Sequence, residues 1–116
     1  MVVKWIVCGG TGNNWCPLRE VELKNVDTVG VYIIWHEGNP GRVVRVGQGD
    51  IAERLAKHRN DPAITYYERF GKLRVTWAYV PLHQLDGVEK YLADTWKPLV
   101  GDAFPDALPI AVNSPW

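Results

Sequence analysis

The chain carries no excess of either charge: 13 basic and 13 acidic side chains give a formal net charge of zero. Tight nonspecific binding to polyphosphate, which gains with every phosphate neutralised, is therefore not written into the bulk composition. Nor is there an apolar run near the roughly 20 residues that a membrane span needs, and no cleavable leader is legible. Both absences set the expectation of a cytoplasmic protein with no membrane partner. Cysteine is scarce, with only Cys8 and Cys16, eight positions apart. Two thiols in that setting are expected to stay free. They are also too few for a closed zinc site, and no short histidine pair accompanies them. Internal repeats and low-complexity tracts are missing. The Gly/Asn-rich run at residues 9–14 lacks a Gly-Lys-Ser/Thr ending and a following helical pattern. It therefore reads as a flexible turn, not as a phosphate-cradling loop.

What is present fits one globular domain. At 116 residues the chain is long enough for one core and too short for two. Residues 30–36 read as a strand, with Val31, Ile33 and Trp35 on one face and Tyr32, Ile34 and His36 on the other. Gly38-Asn39-Pro40-Gly41 is a dense turn signal, and residues 43–47 form a second strand, so a hairpin is the economical reading. It sets Tyr32 and Arg45 close to each other across the pair. Asp50 with Glu53 three residues on is a capping box opening a helix. Ile51, Ala52 and Leu55 supply its buried stripe, and Arg54 and His58 share a flank.

Alternation marks residues 73–80 as a third core strand, with Val75, Trp77 and Tyr79 on one face, and a second helix is expected over residues 87–96. Pro98, Pro105, Pro109 and Pro115 forbid a long helix thereafter and suggest an extended wrap. Residues 1–28 read as a lead-in, with a strand over residues 2–7. The fold class is thus α+β, a small mixed sheet of about three core strands with two or more flanking helices.

Across residues 29–100 this pattern resembles the GIY-YIG nuclease domain. Gly30-Val31-Tyr32 matches the first motif, and Arg45-Val46-Gly47, followed by the polar Gln48, stands at the second. Arg54 falls at the helix arginine, and His58 at the histidine that several branches carry one turn later. Val88-Glu89-Lys90-Tyr91-Leu92 with Trp96-Lys97-Pro98 is similar to the metal-binding helix. The resemblance implies a metal-dependent endonuclease that hydrolyses DNA, with Mg²⁺ or Mn²⁺ held by Glu89. Two departures stand out. Arg45 occupies the place of the second motif's tyrosine, and the late asparagine has no clear counterpart unless Asn113 serves.

In that reading Tyr32 and His58 lie near the attacking water, with His58 titrating near neutrality as general base. Arg54 and Arg45 bind the scissile phosphate, Arg54 through a bidentate fork. Plainer roles stand beside these. Arg54 can pair with Asp50 at i, i+4, and Glu89 can close a capping box on Asp86. Arg42, Arg45, Arg54, Lys57, His58 and Arg59 concentrate positive charge on the hairpin and first helix. Tyr66 or Tyr67 are candidates for the missing phenol. The alternative function is a catalytically silent domain of this fold that binds nucleic acid or a protein partner; a small-molecule enzyme or regulatory module is a third. Having no accessory reading module, a nuclease of this size is expected to act on DNA structure or with weak sequence preference. A homodimer or a partner chain is compatible with that.

Overall fold

A computed structural model describes residues 1–8, 14–101 and 104–116. The residue run considered for a phosphate loop therefore lies almost wholly outside the described part. A four-stranded sheet runs in the order β1, β4, β2, β3. Its strands are β1 (Cys16–Pro17), β2 (Val29–His36), β3 (Arg42–Asp50) and β4 (Leu73–Tyr79). Every neighbouring pair is antiparallel, so the sheet is uniform where a mixed one was expected. The helices are α1 (Ile51–Arg59), the single turn α2 (Pro62–Thr65) and α3 (Leu85–Trp96). The α+β class holds.

β2 sits in the middle of the sheet, and apart from Val29 it is buried along its length. This is why Gly30 to Trp35 is almost continuously apolar. Its two faces separate as the alternation requires. Val31, Ile33 and Trp35 pack with Val46 of β3 and with Leu85, Val88 and Leu92 of α3. Tyr32 and Ile34 pack with Val75 and Trp77 of β4 and with Ile51 and Leu55 of α1. The sheet is thus a partition with α3 on one side and α1 on the other. β2 and β3 form the expected hairpin, with an irregularity in register between Ile34 and Trp35. Ala52 is only partly buried, and His58 completes the inner stripe of α1 in its place.

Local chemistry sets the boundaries. Asp50 caps α1 by accepting the Glu53 N–H at 3.2 Å, and Asp61 accepts the Ala63 N–H at 2.9 Å with Pro62 in the first turn of α2. Lys97 ends α3 in the left-handed region at φ 48°, and Pro98 follows. Beyond it the chain wraps the domain. The Leu99 and Val100 amides donate to the carbonyls of Val43 and Val44, covering part of the outer edge of β3.

Two expectations for the lead-in are corrected. Residues 2–7 form no strand. Their apolar character comes from Val3 and Trp5 packing on the α3 side of the sheet, and the Ile6 N–H makes a backbone bond to Trp77. Cys8 and Cys16 are not free but joined in a disulfide. The Cys8 N–H bonds to the Asn14 carbonyl, and the bridge holds Cys8 against buried Cys16. A spacing of eight does not by itself say whether two thiols meet. Among the described residues no helix is long and apolar enough to cross a membrane.

Candidate active site

The sheet's register places the site along the β3 edge beyond Val44. Tyr32 lies opposite Gly47, and Arg45 lies two positions along, opposite Ile34. Tyr32, Arg45 and Gly47 therefore share the α1 face, whereas Gln48, opposite Val31, faces α3. Arg45 is not directly across from Tyr32, but its long side chain reaches back along the same face.

Three glycines make room for three functional side chains. A Cβ on Gly47 would come within 2.3 Å of the Tyr32 hydroxyl, because the phenol ring lies across this position. A Cβ on Gly49 would meet Arg54 Nε at 3.1 Å, and the backbone there has φ +127°, which an L side chain rarely adopts. Gly101, with φ +101°, closes over Arg45; a Cβ there would lie 2.5 Å from Nη1. Arg54 is thus laid over Gly49 on the exposed side of α1, and Asp50 is engaged as a cap instead of as its ion-pair partner.

On the α1 side, Tyr32 Oη and His58 Nε2 are 2.6 Å apart, with both residues buried. Burial pushes the phenol above its ordinary value, against the opposing charge of Arg45. Burial, followed by the Arg45 charge, lowers His58 to about 4. The imidazole is therefore neutral at pH 7, which corrects the expectation of titration near neutrality. A neutral ring has one donor and one acceptor nitrogen. If Nε2 accepts the phenol proton, then Nδ1 carries hydrogen; if Nε2 donates, the phenol proton is free for another acceptor. His58 Nδ1 and Arg45 Nε are both buried with no hydrogen-bond partner among the described residues.

On the α3 side, Gln48 Nε2 donates to Asp86 Oδ1 at 2.7 Å and to Glu89 Oε1 at 2.8 Å. Glu89 is 8% exposed, and burial raises its carboxyl above the ordinary range, with the Gln48 bond and the Arg45 charge opposing. Because α3 begins at Leu85 with Gln84 as its cap, Asp86 is inside the helix and the Asp86–Glu89 capping box is not formed. The fields of Arg45 and Arg54 act on Tyr32, His58 and Glu89 alike. All five residues singled out from the sequence thus converge, from both sides of the sheet, on one edge.

No family model, curated protein or solved structure matches this chain. The site is therefore read on its own chemistry.

A hard divalent cation takes carboxylate oxygens and, for Mg²⁺, keeps several waters or substrate oxygens in its shell. Glu89 fits such an ion: it is a largely buried carboxylate with a donated hydrogen bond but no cationic side chain in ion-pair contact among the described residues. Asp86, bonded to the same Gln48 nitrogen, would be the second oxygen donor to such an ion. No group of three His, Cys, Asp or Glu ligands forms among the described residues. The remaining ligands would thus be waters and substrate oxygens.

Other candidates lie apart. Arg59 turns inward to bond the carbonyls of Leu18 and Val21, so it holds the lead-in to α1. Asn113 accepts the Val3 N–H at 2.7 Å and donates to the Val3 carbonyl at 3.0 Å, which commits it to the lead-in. Tyr66 and Tyr67 group with Phe70, and Tyr67 stacks on His36 at the turn end of the hairpin, so neither replaces the missing phenol. Gln48 and Asp86 were not singled out as site residues. The signal for Gln48 is its phase: it follows Val46 by two, which puts an amide on an apolar face, where it needs a partner.

Proposed function

We propose that this protein is a metal-dependent endonuclease that hydrolyses DNA phosphodiester bonds at the β3 edge. The observation that carries the reading is convergence. Residues from β2, β3, α1 and α3 meet there, with Tyr32 and His58 joined at 2.6 Å and two arginine charges reaching both that pair and Glu89. Hydrolysis joins a water oxygen to phosphorus, breaks a P–O bond and gives the leaving oxygen a proton. Mg²⁺ or Mn²⁺, held by Glu89 with Asp86, would supply positive charge to the phosphoryl oxygens when bound. Arg54, on the exposed side, offers the phosphate a planar fork. Arg45, in the place of a tyrosine, contributes charge where negative charge develops but no proton at neutral pH. His58, neutral at pH 7, holds the Tyr32 hydroxyl and fixes where its proton points.

The competing reading, a catalytically silent domain binding nucleic acid or a protein, draws on one specific feature. Tyr32 is only 1% exposed and its hydroxyl is already engaged. Substitution at Arg45 separates the two. With a live site, Arg45→Ala lowers metal-dependent cleavage of DNA. With a silent one, the wild type leaves DNA intact and Arg45→Tyr is the variant that gains cleavage. Structure-directed or weakly sequence-specific action, as a homodimer or with a partner chain, belongs to the same proposal. The cytoplasmic expectation rested on the missing span and leader; the Cys8–Cys16 bridge, a bond typical of oxidising compartments, runs against it.

A further inference from the structure

A second cleft, of about 500 Å³, opens at the turn end of the hairpin, lined in part by His36, Arg42, Tyr67, Arg69 and Phe70. It lies on the α1 face of the sheet: His36 is in phase with Tyr32 on β2, and Arg42 is its partner on β3. Four residues of strand separate His36 from Tyr32, about 13 Å at the usual rise. The walls are aromatic. His36 stacks on Tyr67 at an interplanar angle of 6°, and Phe70 lies 5.6 Å from His36 and 5.8 Å from Tyr67. Phe70 and Tyr66 are 51% and 46% exposed, which is unusual for rings packed into a cluster.

The polar groups around these rings point to an anion. Arg69 rests on the Tyr66 ring, with its guanidinium carbon 4.0 Å from the centroid, and donates to the Tyr66 carbonyl. The carboxylates nearby in sequence are taken by other arginines, Glu68 by Arg19 and Glu37 by Arg74. Arg42 and Arg69 thus have no carboxylate partner among the described residues. His36 Nδ1 accepts the Gly38 N–H at 3.0 Å, so the neutral ring carries its hydrogen on Nε2. The cleft combines planar apolar faces with two guanidinium groups that hold no carboxylate and with an N–H donor.

We infer that this cleft holds an unpaired base of a DNA strand, stacked on the Phe70–Tyr67 surface with its phosphate against Arg42 and Arg69, a few nucleotides from the bond to be cut. The inference deepens the nuclease reading and rests on it for the identity of the ligand. An aromatic face stacks on a base only where that base has left the duplex stack. The site is therefore built for single-stranded, flapped or locally opened DNA. This agrees with a chain of zero net charge, since stacking contributes affinity without a broad basic surface.

The test is fluorescence anisotropy in EDTA, where no cleavage interferes, with a short labelled oligothymidine, its duplex form, and the same strand carrying abasic sites. The wild-type protein is expected to prefer the single strand to both. Phe70→Ala is expected to weaken single-strand binding roughly tenfold and leave abasic binding unchanged, while Phe70→Trp retains the wild-type affinity. Arg42→Gln and Arg69→Gln should each reduce the salt dependence by about one phosphate contact. Free thymidine monophosphate should compete only weakly; binding as tight as the strand's would assign the cleft to a mononucleotide and overturn the inference. So would equal binding of single strand and duplex, unchanged affinity in Phe70→Ala, or no binding at all. Because metal-free binding is read separately from cleavage, a protein that stacks single strands but never cuts DNA would sink the nuclease reading alone. One that cuts DNA with Phe70→Ala at full rate and full affinity would sink this inference alone.

Discussion

The Tyr32–His58 pair gives the sharpest quantitative consequence of the fold. The folded protein lowers His58 from 6.5 to about 4, burial being the main cause and the Arg45 charge the next. Between these values the unfolded chain binds a proton that the folded chain refuses, so stability falls on acidification. The contribution is fully present above about pH 6.5 and is lost progressively as the pH drops through about 4. At pH 4.5 the loss amounts to about 2–3 kcal/mol, a large share of the net stability of a small domain. The informative variant is Tyr32→Phe with His58→Leu, because removing both members of the pair leaves neither one without the other. Urea midpoints at pH 7.5 and 4.5 should then show the double variant losing about 2–3 kcal/mol less than the wild type. Effects of distant carboxylates such as Glu68, lowered by Arg19, are common to both proteins and cancel. The reasoning is refuted if the double variant keeps the wild-type pH dependence, or if the His58 ring titrates near 6.5 by NMR.

Three further outcomes are expected. Gly47→Ala drives a methyl into the Tyr32 ring and should cost about 1–3 kcal/mol, read from the urea midpoint; an unchanged midpoint would mean that the ring does not lie there. Glu89→Gln should raise thermal stability at neutral pH while abolishing cleavage. The folded carboxyl is raised by burial, so its contribution is best when protonated and is lost as pH rises through the raised value; the amide removes that penalty, and a lower melting temperature at pH 7 would contradict it. Asn113→Ala should release the lead-in, costing about 1–2 kcal/mol and raising amide exchange at Val3. Intact protection at Val3 would refute that role.

What the sequence made legible follows from periodicity. The alternation over β2 assigned Val31, Ile33 and Trp35 to one face and Tyr32 and Ile34 to the other, and both cores follow that division. The Asp50 cap and the hairpin turn were readable because each depends on neighbours in sequence. Contacts between distant segments were not. The Cys8–Cys16 bridge needs two Cα atoms only 4.8 Å apart, which spacing does not fix, and the clasp between Val3 and Asn113 joins residues 110 positions apart. The role of Gln48 depends on α3 docking its Asp86–Glu89 turn against the β3 edge. That Tyr32 and Arg45 share a sheet face was readable, but the electrostatics around them were not. Histidine on a helix flank says nothing about burial, and burial with Arg45 moves His58 far from neutrality. The lead-in misled for a related reason: Val3 and Trp5 are buried in one core and Ile6 packs against the other, and none of them extends the sheet.

The central claim, a working metal-dependent site at the β3 edge, is tested most directly by nicking of supercoiled plasmid at low salt, with Mg²⁺ or Mn²⁺ against EDTA. The account predicts relaxation of the plasmid only with metal, and its loss in both Glu89→Ala and Arg54→Ala while each variant keeps its folded spectrum. An intact plasmid at high concentrations of folded wild-type protein would contradict it, as would nicking that survives either substitution.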